Sequence, residues 1–146
     1  MEALNYAPHI TLAIYDDIGI PKLVDVFDSA VEDLDRMTVR FDRLDYFEAP
    51  HAIILWAAPV LPKKVYSVYD HIHSKIDTNL CRPHYRPGVW VPHCSLALSV
   101  DLAKKEEAIA MARQSIEPIE VIFDVADCVS FLPVEVLHEK ALRSVA

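Results

Sequence analysis

Two stretches of this chain obey one rule. Pro8-His9-Ile10-Thr11-Leu12-Ala13-Ile14 and Pro92-His93-Cys94-Ser95-Leu96-Ala97-Leu98 both read Pro-His-x-hydroxyl-Leu-Ala-aliphatic, with Pro8 and Pro92 standing 84 residues apart. Each stretch alternates as a half-buried strand does. His9, Thr11, Ala13 and Tyr15 share one face, as do His93, Ser95, Ala97 and Ser99. Ile10, Leu12 and Ile14, like Cys94, Leu96, Leu98 and Val100, share the other. A pattern written twice, once at the head of each half, constrains the fold more than any single motif, because it predicts an internal duplication.

The rest of the chain fits that reading. After the first motif, Asp16-Asp17 and Gly19-Ile20-Pro21 punctuate the strand. Leu23, Val24, Phe27, Ala30, Val31 and Leu34 then predict a helix from about Pro21 to Arg36. Val39 to Phe47 and Ala52 to Ala58 read as strands joined through Ala49-Pro50-His51, and Pro62 to Asn79 reads as a second helix. After the second motif, Asp101 is the expected N-cap of a helix to about Ser115, followed by strands over Ile119 to Phe131 and Val134 to Ala141. The order is β-α-β-β-α, a loop, then β-α-β-β. The whole of residues 1–146 is therefore expected to be a single domain of two lobes, with motif strands at residues 8–16 and 92–100.

On a strand, residues i and i+2 project together, so each motif presents an imidazole beside a hydroxyl. Of the seven histidines, only His9 and His93 have a hydroxyl residue two positions on. An imidazole gives or takes a proton near neutral pH. A hydroxyl donates a hydrogen bond to a phosphoryl oxygen. Two such pairs would serve in-line displacement at phosphorus, with one imidazole as general base and the other as general acid. That scheme needs no metal and no cofactor. The other histidines lack the spacing of a metal site, and none is expected.

The segment Cys81-Arg82-Pro83-His84-Tyr85-Arg86-Pro87-Gly88-Val89-Trp90-Val91-Pro92 holds three of the chain's prolines and runs straight into the second motif. Such a stretch is not regular helix. Arg82 and Arg86 are candidates for bidentate phosphate contacts, and Tyr85 and Trp90 for stacking on a base. Trp90 could equally close the core beneath the loop.

Composition narrows the partners. The net charge is −8, the opposite of what phosphate neutralisation along a duplex demands, so a small nucleotide or a strand end is expected and no long nucleic acid tract. With Gly19 and Gly88 the only glycines, glycine-rich phosphate loops are excluded. No apolar run is long enough for a membrane span, and Met1-Glu2-Ala3-Leu4-Asn5 lacks the character of a secretory leader. Cys81, Cys94 and Cys128 form no pairing pattern and are expected to be reduced thiols in a cytoplasmic, monomeric protein.

The paired motifs resemble the His-x-Thr/Ser-x (HxTx) signatures of the 2H phosphoesterase superfamily, which includes 2′-5′ RNA ligase-like proteins and cyclic phosphodiesterases. Serine stands in the second motif where threonine is frequent, and the hydroxyl is kept. The resemblance implies an α+β, pseudo-two-fold bilobal fold with two antiparallel β-sheets and flanking helices around a central cleft. It implies that His9 and His93 are catalytic and that Thr11 and Ser95 bind phosphate. It also implies a metal-independent hydrolase acting on a 2′,3′-cyclic or related cyclic phosphate, or on a 2′-5′ phosphodiester at an RNA or nucleotide end. Three other readings stay open: a non-catalytic nucleotide or RNA-end binding module, an RNA 2′-5′ ligase, and a metal-dependent hydrolase with the histidines as ligands.

Overall fold

The computed structural model describes residues 6–144. Met1-Glu2-Ala3-Leu4-Asn5, read above for a leader, lie outside the described residues. The protein is α+β. In chain order come α1 (Ile20–Val31), β1 (Met37–Ala49), β2 (Ala52–Val60), α2 (Lys63–Lys75), β3 (Cys94–Asp101), α3 (Lys105–Ala112), β4 (Ile119–Phe123), β5 (Val125–Ser130) and β6 (Glu135–Ala141). One sheet has the order β3-β2-β1-β4 and the other pairs β5 with β6. β1 with β2, β2 with β3, and β5 with β6 are all antiparallel.

The residues fall into two compact units, each taking chain from both halves of the sequence. One is Met1–Thr11, Arg40–Val60 and Pro92–Glu120; the other is Leu12–Val39, Leu61–Val91 and Val121–Ala146. The first unit is organised on β2, the strand flanked by β1 and β3. Ile53 is wholly enclosed and Trp56, Ala57 and Ala58 are buried with it. α3 packs on β2 and β3 through Ala108 and Ala112, whose small side chains let the helix lie close. The second unit has its core where α1 meets α2 and the β5–β6 hairpin: Phe27, Val31, Leu34, Val68, Cys128 and Leu142.

Four expectations are corrected. The first concerns the segment from His9 to Tyr15, which is not a regular strand; its one ladder contact is the bridge from Tyr15 to Cys81. Its side chains are all half-buried, so the alternation in sequence produces no alternation in burial. The reason is its partner. The Asp16 amide donates to the Leu80 carbonyl and the Arg82 amide donates to that of Ile14, after which Pro83 interrupts any further pairing.

The second correction concerns helix ends. α1 stops at Val31 rather than Arg36, because Asp35 and Arg36 leave to pair with Arg143; the Arg36 amide donates to its carbonyl at 2.9 Å. α2 stops at Lys75, where Ile76 is extended and Asp77 caps a separate 3₁₀ turn over Thr78–Leu80 by accepting from the Asn79 amide. α3 ends at Ala112, short of Ser115. Asp101 does act as a cap, accepting from the Ala103 amide at 2.8 Å, but for the short turn Leu102–Lys104 that precedes α3.

The third is the run from Ile119 to Phe131, which is two strands. It breaks at Asp124, whose carbonyl accepts from the Leu142 amide at 2.8 Å. β4 then belongs to one sheet and β5 to the other. The fourth is the apolar face of β3. Cys94 is buried, but Leu96 and Leu98 are exposed, because β3 is an edge strand and the eight-residue α3 is too short to cover its length.

Phe27 tests the second core. Replacing it by alanine removes the ring at the α1 contact and is expected to lower unfolding free energy by about 3–5 kcal/mol. Urea titration of the Phe27→Ala variant measures this; a loss under about 1 kcal/mol would mean that the site collapses around the deletion.

Candidate functional site

His9, Thr11, His93 and Ser95 all belong to the first compact unit. The two motifs are neighbours there. The backbone N–H of His9 faces the Cys94 sulfur, so the residue that follows His93 meets the backbone of the first motif. Burial pushes the Cys94 thiol pKa up, and the His9 amide pulls the other way. Cys94 therefore takes the inward position expected of the residue between histidine and hydroxyl, and Ile10 is half-buried.

His9 Nδ1 lies 2.8 Å from the Ala7 carbonyl oxygen. A carbonyl has no hydrogen to give, so Nδ1 carries the hydrogen and donates. Nε2 is then the atom through which the neutral ring takes up a proton. The Tyr6 ring lies against His9, with centroids 4.8 Å apart and planes at 57°. Thr11, two residues on, is half-buried.

Two aromatic rings meet His93. Phe47 from β1 meets its ring at 5.0 Å and 90°, and Trp56 from β2 meets it at 5.9 Å and 59°. Phe47 and Trp56 pack against each other at 4.9 Å and 30°. In the β2–β3 register, Trp56 stands opposite Ser95 and Ala57 opposite Cys94. Directly opposed residues point to the same face of a sheet, so the indole lies on the side that carries the Ser95 hydroxyl. Arg43 caps the indole, its guanidinium carbon 5.8 Å from the ring centroid, and pairs with Asp45. Trp56 is 3% exposed, and its Nε1–H has no hydrogen-bond partner among the described residues. Leaving a buried donor unmade costs about 1–3 kcal/mol. Sequence reasoning missed Trp56 and Phe47, since both sit in ordinary strand patterns and only the register brings them to the motif.

Arg82, Tyr85, Arg86 and Trp90 belong to the second unit. Arg82 donates from Nε and Nη2 to the two oxygens of Asp16, each at 2.9 Å, and lies over Phe131 at 5.1 Å. The Arg82 guanidinium holds the Asp16 carboxyl below the usual carboxylate range. Arg86 donates to the carbonyls of Cys81 and Asn79 at 2.8 and 3.0 Å, and its own carbonyl accepts the Val89 and Trp90 amides. Gly88, at φ +84°, permits the turn between them; any other residue would be strained there. Trp90 stacks on Tyr69 at 4.2 Å and 9°, and the Tyr69 hydroxyl donates to the Tyr85 carbonyl at 2.8 Å. Burial pushes the Tyr85 phenol up.

Behind this segment lies a buried polar cluster. Tyr15 Oη is 2.6 Å from His73 Nδ1, and the Tyr69 ring covers His73 at 4.3 Å. The Leu12 carbonyl also faces the His73 ring. His73 Nε2, by contrast, is buried with no hydrogen-bond partner among the described residues. Burial pushes the Tyr15 phenol far up and the Tyr69 phenol up to about 12. Among the described residues, no group of three or more His, Cys, Asp or Glu side chains is placed to hold a metal. No helix among them is long and apolar enough to cross a membrane.

This architecture is similar to that of a solved structure described as a phosphoesterase. The match has a TM-score of 0.57 and 16% identity, and covers 93% of this chain and 77% of that one. At that identity the likeness is one of fold. The model of the 2′-5′ RNA ligase superfamily matches residues 2–132, and the chain belongs to that family. The membership supports a phosphoesterase-type activity. No curated protein matches the chain.

The His73 cluster makes a pH prediction. Burial lowers the His73 pKa in the folded protein below the ordinary 6.5. As the pH falls through the ordinary imidazole range near 6.5, the unfolded chain therefore binds more protons at this position, and stability falls. His73→Gln is expected to flatten that limb in chemical denaturation run across pH. An unchanged slope would show that His73 does not set it.

Proposed function

We propose that the protein is a phosphoesterase that opens a 2′,3′-cyclic or related cyclic phosphate, or cleaves a 2′-5′ phosphodiester, at a nucleotide or RNA end. His9 and His93 exchange the protons, and Thr11 and Ser95 donate hydrogen bonds to phosphate oxygens. What supports this reading is that His9, Thr11, His93 and Ser95 fall in one compact unit, where the His9 backbone N–H faces the Cys94 thiol. Family membership supports the same reading.

For a cyclic phosphate the steps balance simply. One imidazole, neutral, takes a proton from water as the water oxygen forms its bond to phosphorus. The other, protonated, gives its proton to the ribose oxygen as the bond between that oxygen and phosphorus breaks. The product is a phosphomonoester, and each imidazole ends in the protonation state in which the other began. His9 acts through Nε2, since Nδ1 is committed to Ala7. The hydroxyls gain strength as charge builds on the phosphoryl oxygens. Arg82, Tyr85, Arg86 and Trp90 are proposed secondary substrate contacts. The Asp16 pair and the Phe131 contact restrict the first, and backbone carbonyls and the Tyr69 stack engage the last two.

A panel of 2′,3′-cyclic nucleotides, ADP-ribose cyclic phosphate and 2′-5′ oligonucleotides tests the substrate class. On whichever is turned over, His9→Ala and His93→Ala are each expected to lower kcat by about 10²–10⁴-fold. The pH–rate profile should be bell-shaped, and chelator should leave the rate unchanged. A single histidine variant with near-parental rate would overturn the two-histidine scheme. Loss of activity on chelation, with stoichiometric metal in the purified protein, would replace it by metal-dependent hydrolysis.

A further inference from the structure

We propose that Trp56, together with Phe47, is a positioning residue for His93, fixing the ring plane from which this imidazole exchanges its proton. The inference rests on the reading of His93 as a proton-transfer group and adds residues that no motif contains.

Three observations converge on Trp56. Its indole meets His93 at 5.9 Å while Phe47 meets the same ring at a right angle and 5.0 Å. Two rings at different angles leave an imidazole less freedom than one contact would. The register then places Trp56 opposite Ser95, so one side chain borders both polar members of the second motif. Finally, the indole N–H is buried without a partner among the described residues. A phenylalanine there would bury no polar atom. A residue kept at a cost to stability calls for another reason, and here the ring sits against a candidate catalytic group. Arg43 over the indole and Phe47 against it hold the indole in turn.

The test uses Trp56→Leu, Trp56→Phe and Phe47→Leu in the whole chain, with kcat, KM and thermal melting measured on the cyclic nucleotide the panel identifies. Both leucine variants are expected to lose about tenfold or more in kcat with KM within about twofold, because misplacement by a fraction of an ångström weighs on the chemical step. Trp56→Phe restores an aromatic face and is expected to recover kcat to within about threefold, while melting no lower than Trp56→Leu. Should Trp56→Leu fail to fold, Phe47→Leu decides, since Phe47 is only half-buried. The proposal is overturned if Phe47→Leu and any folded Trp56→Leu keep kcat within about twofold of the parent. It is overturned equally if the losses fall on KM alone, or if kcat simply follows melting temperature across the variants. The two levels separate cleanly. Turnover that survives His93→Ala sinks the role of His93 and this inference with it. Turnover abolished by His93→Ala but indifferent to both leucine variants sinks the positioning role alone.

Discussion

The register between β2 and β3 is the constraint on which the candidate site depends. Ala57 opposite Cys94 and Trp56 opposite Ser95 fix which side chains of the second motif face inward and which face outward. A slip of one residue would send His93 and Ser95 to the other face and bring Cys94 out. What prevents the slip is the packing along β2, where Ile53, Trp56, Ala57 and Ala58 are all buried. α3 packs on the same two strands, with Ala108 and Ala112 buried. The register irregularities between Ile53 and Trp56 belong to the same device, since a bulge re-aims a side chain without ending the pairing.

The two histidines lie in one compact unit, and each has ring neighbours there. His9 lies on an irregular segment and is oriented by a hydrogen bond to its own chain. His93 immediately precedes a strand and is met by rings from two neighbouring strands. The approach of the His9 amide to the Cys94 sulfur links the two motifs. The buried Cys94, with its pKa raised, is suited to be a neutral, compact acceptor rather than a nucleophile.

Most of the architecture was legible because it is local. The helical period of α1, from Leu23 to Val31, and the Ala49-Pro50-His51 turn between β1 and β2 were written in short windows of sequence, and both appear within a few residues of expectation. What misled was alternation without a partner. Residues 9–15 alternate as cleanly as residues 93–100, yet only the second set finds a long strand to pair with. The first meets the proline-rich stretch after Cys81 and makes a single bridge. Likewise, nothing in Ile119 to Phe131 announces that Asp124 gives its carbonyl to Leu142, a contact 18 residues on. The roles of Trp56 and Phe47 were illegible for the same reason, since register is a long-range property and neither residue has a local signature.

The same distinction bears on how an acidic protein could hold an anion. Its net charge of −8 leaves few arginines to spare, and those flagged by sequence are engaged: Arg82 by Asp16, Arg86 by two carbonyls. Arginine is the strongest phosphate ligand among side chains, but a guanidinium already paired with a carboxylate brings little net positive charge to a substrate. On the proposed reading, recognition of the reacting phosphate therefore falls to hydroxyls and to whichever imidazole is protonated. A site built this way draws in its substrate weakly over distance and discriminates at contact, through hydrogen bonds whose geometry is set by the strand register. That suits a small ligand or a chain end, where few phosphates are available to be attracted, and it makes turnover sensitive to the placement of one imidazole by two aromatic rings.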